Sequence, residues 1–79
     1  MRLDVYLLLN LAHYLKVEQR TLQKASGLGI NTMSLWKVWK RHPTPESFKK
    51  AQDALVDLAS LPVEYKDMHI EQIARILIK

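Results

Sequence analysis

Gly29-Ile30-Asn31-Thr32-Met33-Ser34-Leu35-Trp36-Lys37-Val38-Trp39-Lys40-Arg41 reads as a turn followed by one short helix, and the rest of the chain is arranged about it. Asn31 suits an N-cap, because its side-chain oxygen can accept from a free amide of the first helical turn, and Thr32 opens a run without Gly or Pro. The helix is expected from Thr32 to Arg41. Pro43 cannot continue it and biases His42 toward extended geometry. At about 100° per residue, Leu35, Trp36, Val38 and Trp39 share one side, and Ser34, Lys37, Lys40 and Arg41 share the other. One face can dock on a core, and the opposite face is cationic.

A short basic helix after a Gly-containing turn has the shape and charge to enter a DNA major groove. Its lysines and arginine neutralise phosphates, and short polar groups near its start reach base edges. The competing reading is an ordinary helix with a solvated basic face. Charge placement supports the first. Residues 1–41 hold seven Lys/Arg against Asp4 and Glu18, a net +5, whereas residues 42–79 hold five against six acids, a net −1. The positive half is the one that carries the turn and helix, as a polyanion-binding half requires.

Seventy-nine residues make a single small unit whose core is marginal, since a chain this short buries only about 60–65% of its unfolded surface. The 48% hydrophobic content, with two glycines and three prolines, suits a helical domain. The absence of cysteine excludes disulfides, thiolate chemistry and Cys-based zinc sites and fits a reducing compartment. Met1 to Leu15 is apolar, but Asp4, Asn10 and His13 interrupt it and it is shorter than a membrane span. It is read as a core helix of a cytoplasmic protein with no membrane partner.

The expected fold is all-α, with about five short helices. Asp4 can cap a first helix over roughly Val5 to Lys16, apolar well beyond a single stripe. Glu18 to Leu28 reads as the second, with Leu22, Ala25 and Leu28 inward and Arg20, Gln23 and Lys24 outward. Gly27 and Gly29 then break the chain and allow positive φ. Thr44-Pro45-Glu46 is a strong helix start in which Thr44 caps, Pro45 takes the first helical position and Glu46 complements the dipole. Phe48, Ala51, Leu55 and Leu58 form the inward stripe of that fourth helix, which stops near Ser60-Leu61-Pro62. After a linker at Val63–Lys66, a last helix from Asp67 to Ile78 carries the stripe Ile70, Ile73, Ala74 and Leu77. That stripe is expected to join subunits, so residues 1–61 form the helix-turn-helix domain and residues 62–79 an oligomerisation element.

Two short helices about a Gly turn, the Asn31-to-Lys37 run N-T-M-S-L-W-K, and the P-T-P-E start of the next helix together resemble the helix-turn-helix of the lambda-repressor-like (XRE/Cro) superfamily over about Val17 to Leu58. Two registers fit. If Gly29 is the turn glycine, Ala25 is the small contact residue, Asn31 caps, Leu35 and Val38 point inward, and Asn31, Thr32, Met33, Trp36, Lys37 and Lys40 face DNA. If Gly27 is the turn glycine, Leu22 and Trp36 fit better, Gln23 replaces the small residue, and Ile30 and Leu35 fall where bases are read. The first register agrees with the charge distribution and the cap. The S-L-W-K-V-W run and D-M-H-I-E-Q-I-A-R-I-L near the C-terminus are more faintly similar to the lambda CII-type phage transcription activators. That resemblance implies an oligomeric DNA-binding regulator whose last helix joins subunits.

Thr21, Asn31, Thr32, Ser34, Lys37, Lys40 and Arg41 are therefore the candidate DNA contacts. Thr21 offers a hydroxyl to a phosphate oxygen, Asn31 an amide to adenine or a cap, and the three cations phosphate contacts or a guanine edge. Trp36 and Trp39 read as core anchors, each burying a large apolar area. His13, His42 and His69 lack paired metal-site spacing, and no Ser-His-Asp arrangement, Gly-rich phosphate loop or pair of carboxylates in an apolar setting is evident. No metal, cofactor or catalysis is expected. The expected function is a duplex-DNA-binding transcriptional regulator of bacterial or phage type, acting as a symmetric dimer or tetramer. The rival is a protein-interaction module on the same scaffold, recognisable by an exposed patch of Trp, Met and Ile.

Overall fold

The computed structural model describes residues 2–29 and 31–78, with side chains from Asp4 onward in that range. Its helices are α1 (Arg2–Tyr14), α2 (Gln19–Ser26), α3 (Thr32–Lys37), α4 (Pro45–Leu58) and α5 (Ile70–Leu77), with a 3-10 helix at Val63–Asp67 before α5. The all-α expectation holds, and no strand occurs among the described residues.

One core takes side chains from every helix: Val5, Leu8 and Leu11 of α1, Leu22 of α2, Met33 and Trp36 of α3, Ala51 and Leu55 of α4, Ile70 and Ile73 of α5. α1 packs on α5 and also meets α2, α3 and α4, so most of its apolar surface is covered within the protein, with Leu7 and Leu9 half-buried and Tyr14 exposed. This corrects the expectation for the last helix. Ile70 and Ile73 are each 1% exposed, Ala74 is buried, and Leu77 packs against the same core. The stripe expected to join subunits is occupied by α1, and the boundary expected at residues 61 and 62 does not divide the core. A helical stripe states that a face is buried but not what buries it.

α4 forms as expected. Thr44 Oγ1 accepts from Ser47 N at 3.1 Å, with Pro45 in the first turn. Its buried face is wide, comprising Ala51, Gln52, Ala54, Leu55 and Val56, because α2 and the 3-10 helix both pack on it. Leu58, expected inward, is 40% exposed where the helix runs out.

Three helices end by one device. Lys16, Trp39 and Ser60 take left-handed φ of 62°, 64° and 55°. Each amide bonds three residues back, to His13 O, Trp36 O and Asp57 O, and the next amide bonds five back, to Ala12 O, Leu35 O and Val56 O. These paired bonds satisfy carbonyls that the helix leaves open, usually with glycine at the turning position. α3 therefore stops at Lys37, well before Pro43, and Lys40 and Arg41 lie on the following bend rather than on the helix as expected.

Candidate nucleic-acid interface

Gly27 closes α2 with φ 73°, its amide donating to Lys24 O at 3.2 Å. Gly27, not Gly29, is the residue whose missing Cβ the turn requires. The inward residues of α3 are Thr32, Met33 and Trp36, at 7%, 0% and 3% exposure, while Val38 and Trp39 stand 61% and 51% exposed. The preferred register is thereby corrected: the side that carries Met33 and Trp36 docks, and Leu35 is half-buried. On α2, Leu22 and Ser26 are buried and Ala25 is exposed, reversing the expected role of Ala25.

The cap is corrected as well. Asn31 is left-handed at φ 65° and its side chain makes no cap bond. Its place is taken by Gln23, whose Oε1 accepts from Met33 N at 3.3 Å and so satisfies a first-turn amide from the neighbouring helix. One helical turn earlier, Gln19 Nε2 donates to Ser34 Oγ at 3.2 Å. Two glutamines on one face of α2 thus hold α3 alongside it. Tyr6 adds a third tie from α1, its hydroxyl donating to Lys37 O at 3.2 Å. Gln23, expected outward, is half-buried against α3, and the roles of Gln19 and Tyr6 carry no signal beyond the four-residue spacing that puts the two glutamines on one edge.

Of the candidate contacts, Thr21, Asn31, Ser34, Lys37, Lys40 and Arg41 are exposed. Thr32 is not: it is buried, and its hydroxyl donates to Gly29 O at 2.7 Å, so it serves the turn. Trp36 is the expected core anchor, whereas Trp39 lies half-exposed between Val38 and Lys40. Ile30, which the second register places at the bases, lies outside the described residues.

Among the described residues, the ion pairs are Lys49–Asp53 at 2.9 Å, Lys49–Asp67 at 3.7 Å and Lys66–Asp57 at 2.9 Å, all on α4 and the 3-10 helix. The hydrogen bond from Lys49 to Asp53 raises its pKa above the usual lysine value; desolvation opposes the rise, and the charges of Asp53 and Asp67 and the contact with Asp67 add to it. Arg20 and Lys24 on α2, and Lys37, Lys40 and Arg41 on and after α3, are exposed and make no ion pair among the described residues. A cleft of about 260 Å³ between α1 and this unit mixes polar and apolar lining, with Asn10, Glu18, Gln19 and Lys37 beside Leu9 and Val17.

Among the described residues, no group of three His, Cys, Asp or Glu is placed to hold a metal ion, and no helix is long and apolar enough to cross a membrane. Comparison of the chain with protein-family models, curated proteins and solved structures gives no match.

Proposed function

We propose that the protein binds duplex DNA through the exposed face of α2, α3 and the bend at residues 38–41, and acts as a transcriptional regulator of bacterial or phage type. The observation that carries this reading is the set of five exposed cations, Arg20, Lys24, Lys37, Lys40 and Arg41, without ion-pair partners among the described residues. Lys49 and Lys66 are paired with aspartates, and Lys16, Lys50 and Arg75 are exposed elsewhere on the surface and make no ion pair among the described residues; what sets the five apart is their place on adjacent elements, α2, α3 and the bend that follows. Unpaired cations on a fixed two-helix frame release counterions when they meet phosphates, which is where non-specific affinity for DNA originates. With Thr32 turned inward, base reading falls to Asn31 and Ser34, so phosphate contacts outweigh base contacts. Two copies would bind a two-part site more tightly than one, joined by a surface other than the α5 stripe.

Fluorescence anisotropy with a pool of random duplexes over a salt series tests the reading. If all five cations reach phosphates, log affinity against log salt has a slope of about −4.5, and the Lys37→Ala/Lys40→Ala double variant loses about 1.8 of it. Absence of binding near 50 mM salt by folded protein overturns the proposal. Exposure of Val38 and Trp39 favours a second reading, a module that docks a protein partner through that apolar pair. Under it, DNA binding is absent and the double variant changes nothing.

A further inference from the structure

α1, α3 and α4 end in the same pair of backbone bonds, but they fill the turn differently. After α1 and α4 the left-handed residue is polar and exposed, Lys16 and Ser60, and the residue that follows is apolar and half-buried, Val17 and Leu61. A polar residue turns the chain and an apolar one pins it to the helix it has left, as such ends commonly do. After α3 the order is reversed. Trp39 turns at φ 64° and stands 51% exposed, and Lys40, in the pinning place, is exposed as well.

A bulky residue at positive φ is intrinsically unfavourable, and strained positions of this kind gather at functional sites. The turn itself is held by backbone. Trp39 N donates to Trp36 O at 3.2 Å, Lys40 N to Leu35 O at 3.0 Å and Arg41 N to Leu35 O at 3.4 Å. Glycine could make the same bonds without the steric cost. What it could not supply is an indole, half of whose surface meets solvent on a backbone fixed by those bonds.

The neighbours indicate what meets that ring. Residues 37–42 are all exposed, and Lys37, Lys40 and Arg41 flank Val38 and Trp39 along the chain. The apolar centre of a protein interface is depleted of charge, whereas surfaces that stack nucleobases set aromatic rings among cations. Resting on the reading that this face binds DNA, we propose that Trp39 is its specificity-determining residue. With Val38 beside it, the indole enters the duplex at a weakly stacked step, while Lys37, Lys40 and Arg41 hold the phosphates around it. Apolar wedges of this kind unstack and kink a duplex. The cost of unstacking is low at flexible pyrimidine–purine steps and lower at a mismatched base. The preferred ligand is therefore duplex DNA with an easily opened step, selected by deformability rather than by base edges.

Anisotropy binding to duplexes of one length, alike except for a central GC step, a TA step or a single mismatch, tests this with wild type beside Trp39→Gly. The wild type should bind the mismatched duplex about tenfold more tightly than the GC duplex, with the TA duplex between them. Its indole emission should be quenched on binding, and because Trp36 is 3% exposed the quenching reports Trp39. Trp39→Gly, its fold checked by far-UV circular dichroism, should bind the mismatched duplex about tenfold more weakly than wild type, the loss of one base–aromatic stack. It should also lose the preference among duplexes yet keep the wild-type salt slope, since no cation is removed. The proposal is overturned, with DNA binding intact, if the wild type binds all the duplexes equally or without quenching, or if folded Trp39→Gly matches it; the Val38–Trp39 pair then passes to the protein-docking reading. If the wild type binds no duplex, DNA binding and the wedge fall together. The wild-type comparison decides alone if the variant does not fold.

Discussion

Ile73→Ala asks whether α5 belongs to the protein's own core. Ile73 is 1% exposed and sits in a cluster with residues of α1 and α4. Removing its three outer carbons costs the lost transfer energy plus a residual cavity, about 3 kcal/mol within the usual range of about 2–5. A 79-residue chain is stable by about 4–12 kcal/mol in total. The variant should therefore melt roughly 12–24 °C lower by far-UV circular dichroism, at about 4–8 °C per kcal/mol for a domain of this size. Protein concentration supplies the control. If folding required two copies joined through this stripe, an about hundredfold dilution would lower apparent stability by about 2.7 kcal/mol per dimer. A core role predicts the large loss at every protein concentration, including dilutions at which the chain is monomeric by sedimentation. A loss under about 1 kcal/mol in the monomer would refute the placement of α5.

Further expectations concern the local devices. Ser60→Gly removes a side chain from an exposed left-handed position and should stabilise the protein by up to about 1 kcal/mol, whereas Gly27→Ala, with open space but φ 73°, should destabilise it by a similar amount in urea melts. Thr44→Ala deletes the cap of α4 and should cost about 1 kcal/mol, read from the same melts. The pKa of Lys49 is raised in the folded state, so whatever its ion pairs contribute is fully present below the unfolded value near 10.5 and is lost as pH rises through the folded one. Asp53→Asn should lower the Lys49 titration midpoint followed by side-chain NMR, and an unchanged midpoint would exclude Asp53 as the main cause.

Features governed by a few adjacent residues were legible in the sequence. Thr44-Pro45-Glu46 announced α4 because cap, fixed φ and dipole all act within one turn. The breadth of apolar surface on α1 left enclosure by its own domain and burial against another subunit both open, and the packing of α1 on the other four helices supplies the first. Choices between equal local options were not legible. Over six residues of α3, a stripe through Met33 and Trp36 and one through Leu35 and Val38 are equally helical, and the tie is broken by the docking of Trp36 and by Gly27 turning left-handed. The left-handed turn at Trp39 defeated expectation because a bulky residue there is intrinsically costly and is held by surrounding structure. Around α3, the exposure of Lys37, Lys40 and Arg41 followed from their charge. The inward turn of Thr32 and the bond from Gln19 to Ser34 depend on how the two helices meet, which spacing along the chain does not encode.

The packing of α1 against α5 joins elements made at widely separated moments of translation. A ribosome releases α1 early, with Leu8 and Leu11 needing cover that Ile70 and Ile73 supply only after residues 70–77 have been synthesised. Until then the growing chain carries α1 with part of its apolar face uncovered. A fragment ending at Pro62 would hold the sequence of α4 and its cap yet lack the wall that Ile70 and Ile73 supply, and the uncovered Leu8 and Leu11 are what chaperones or misassembly would find.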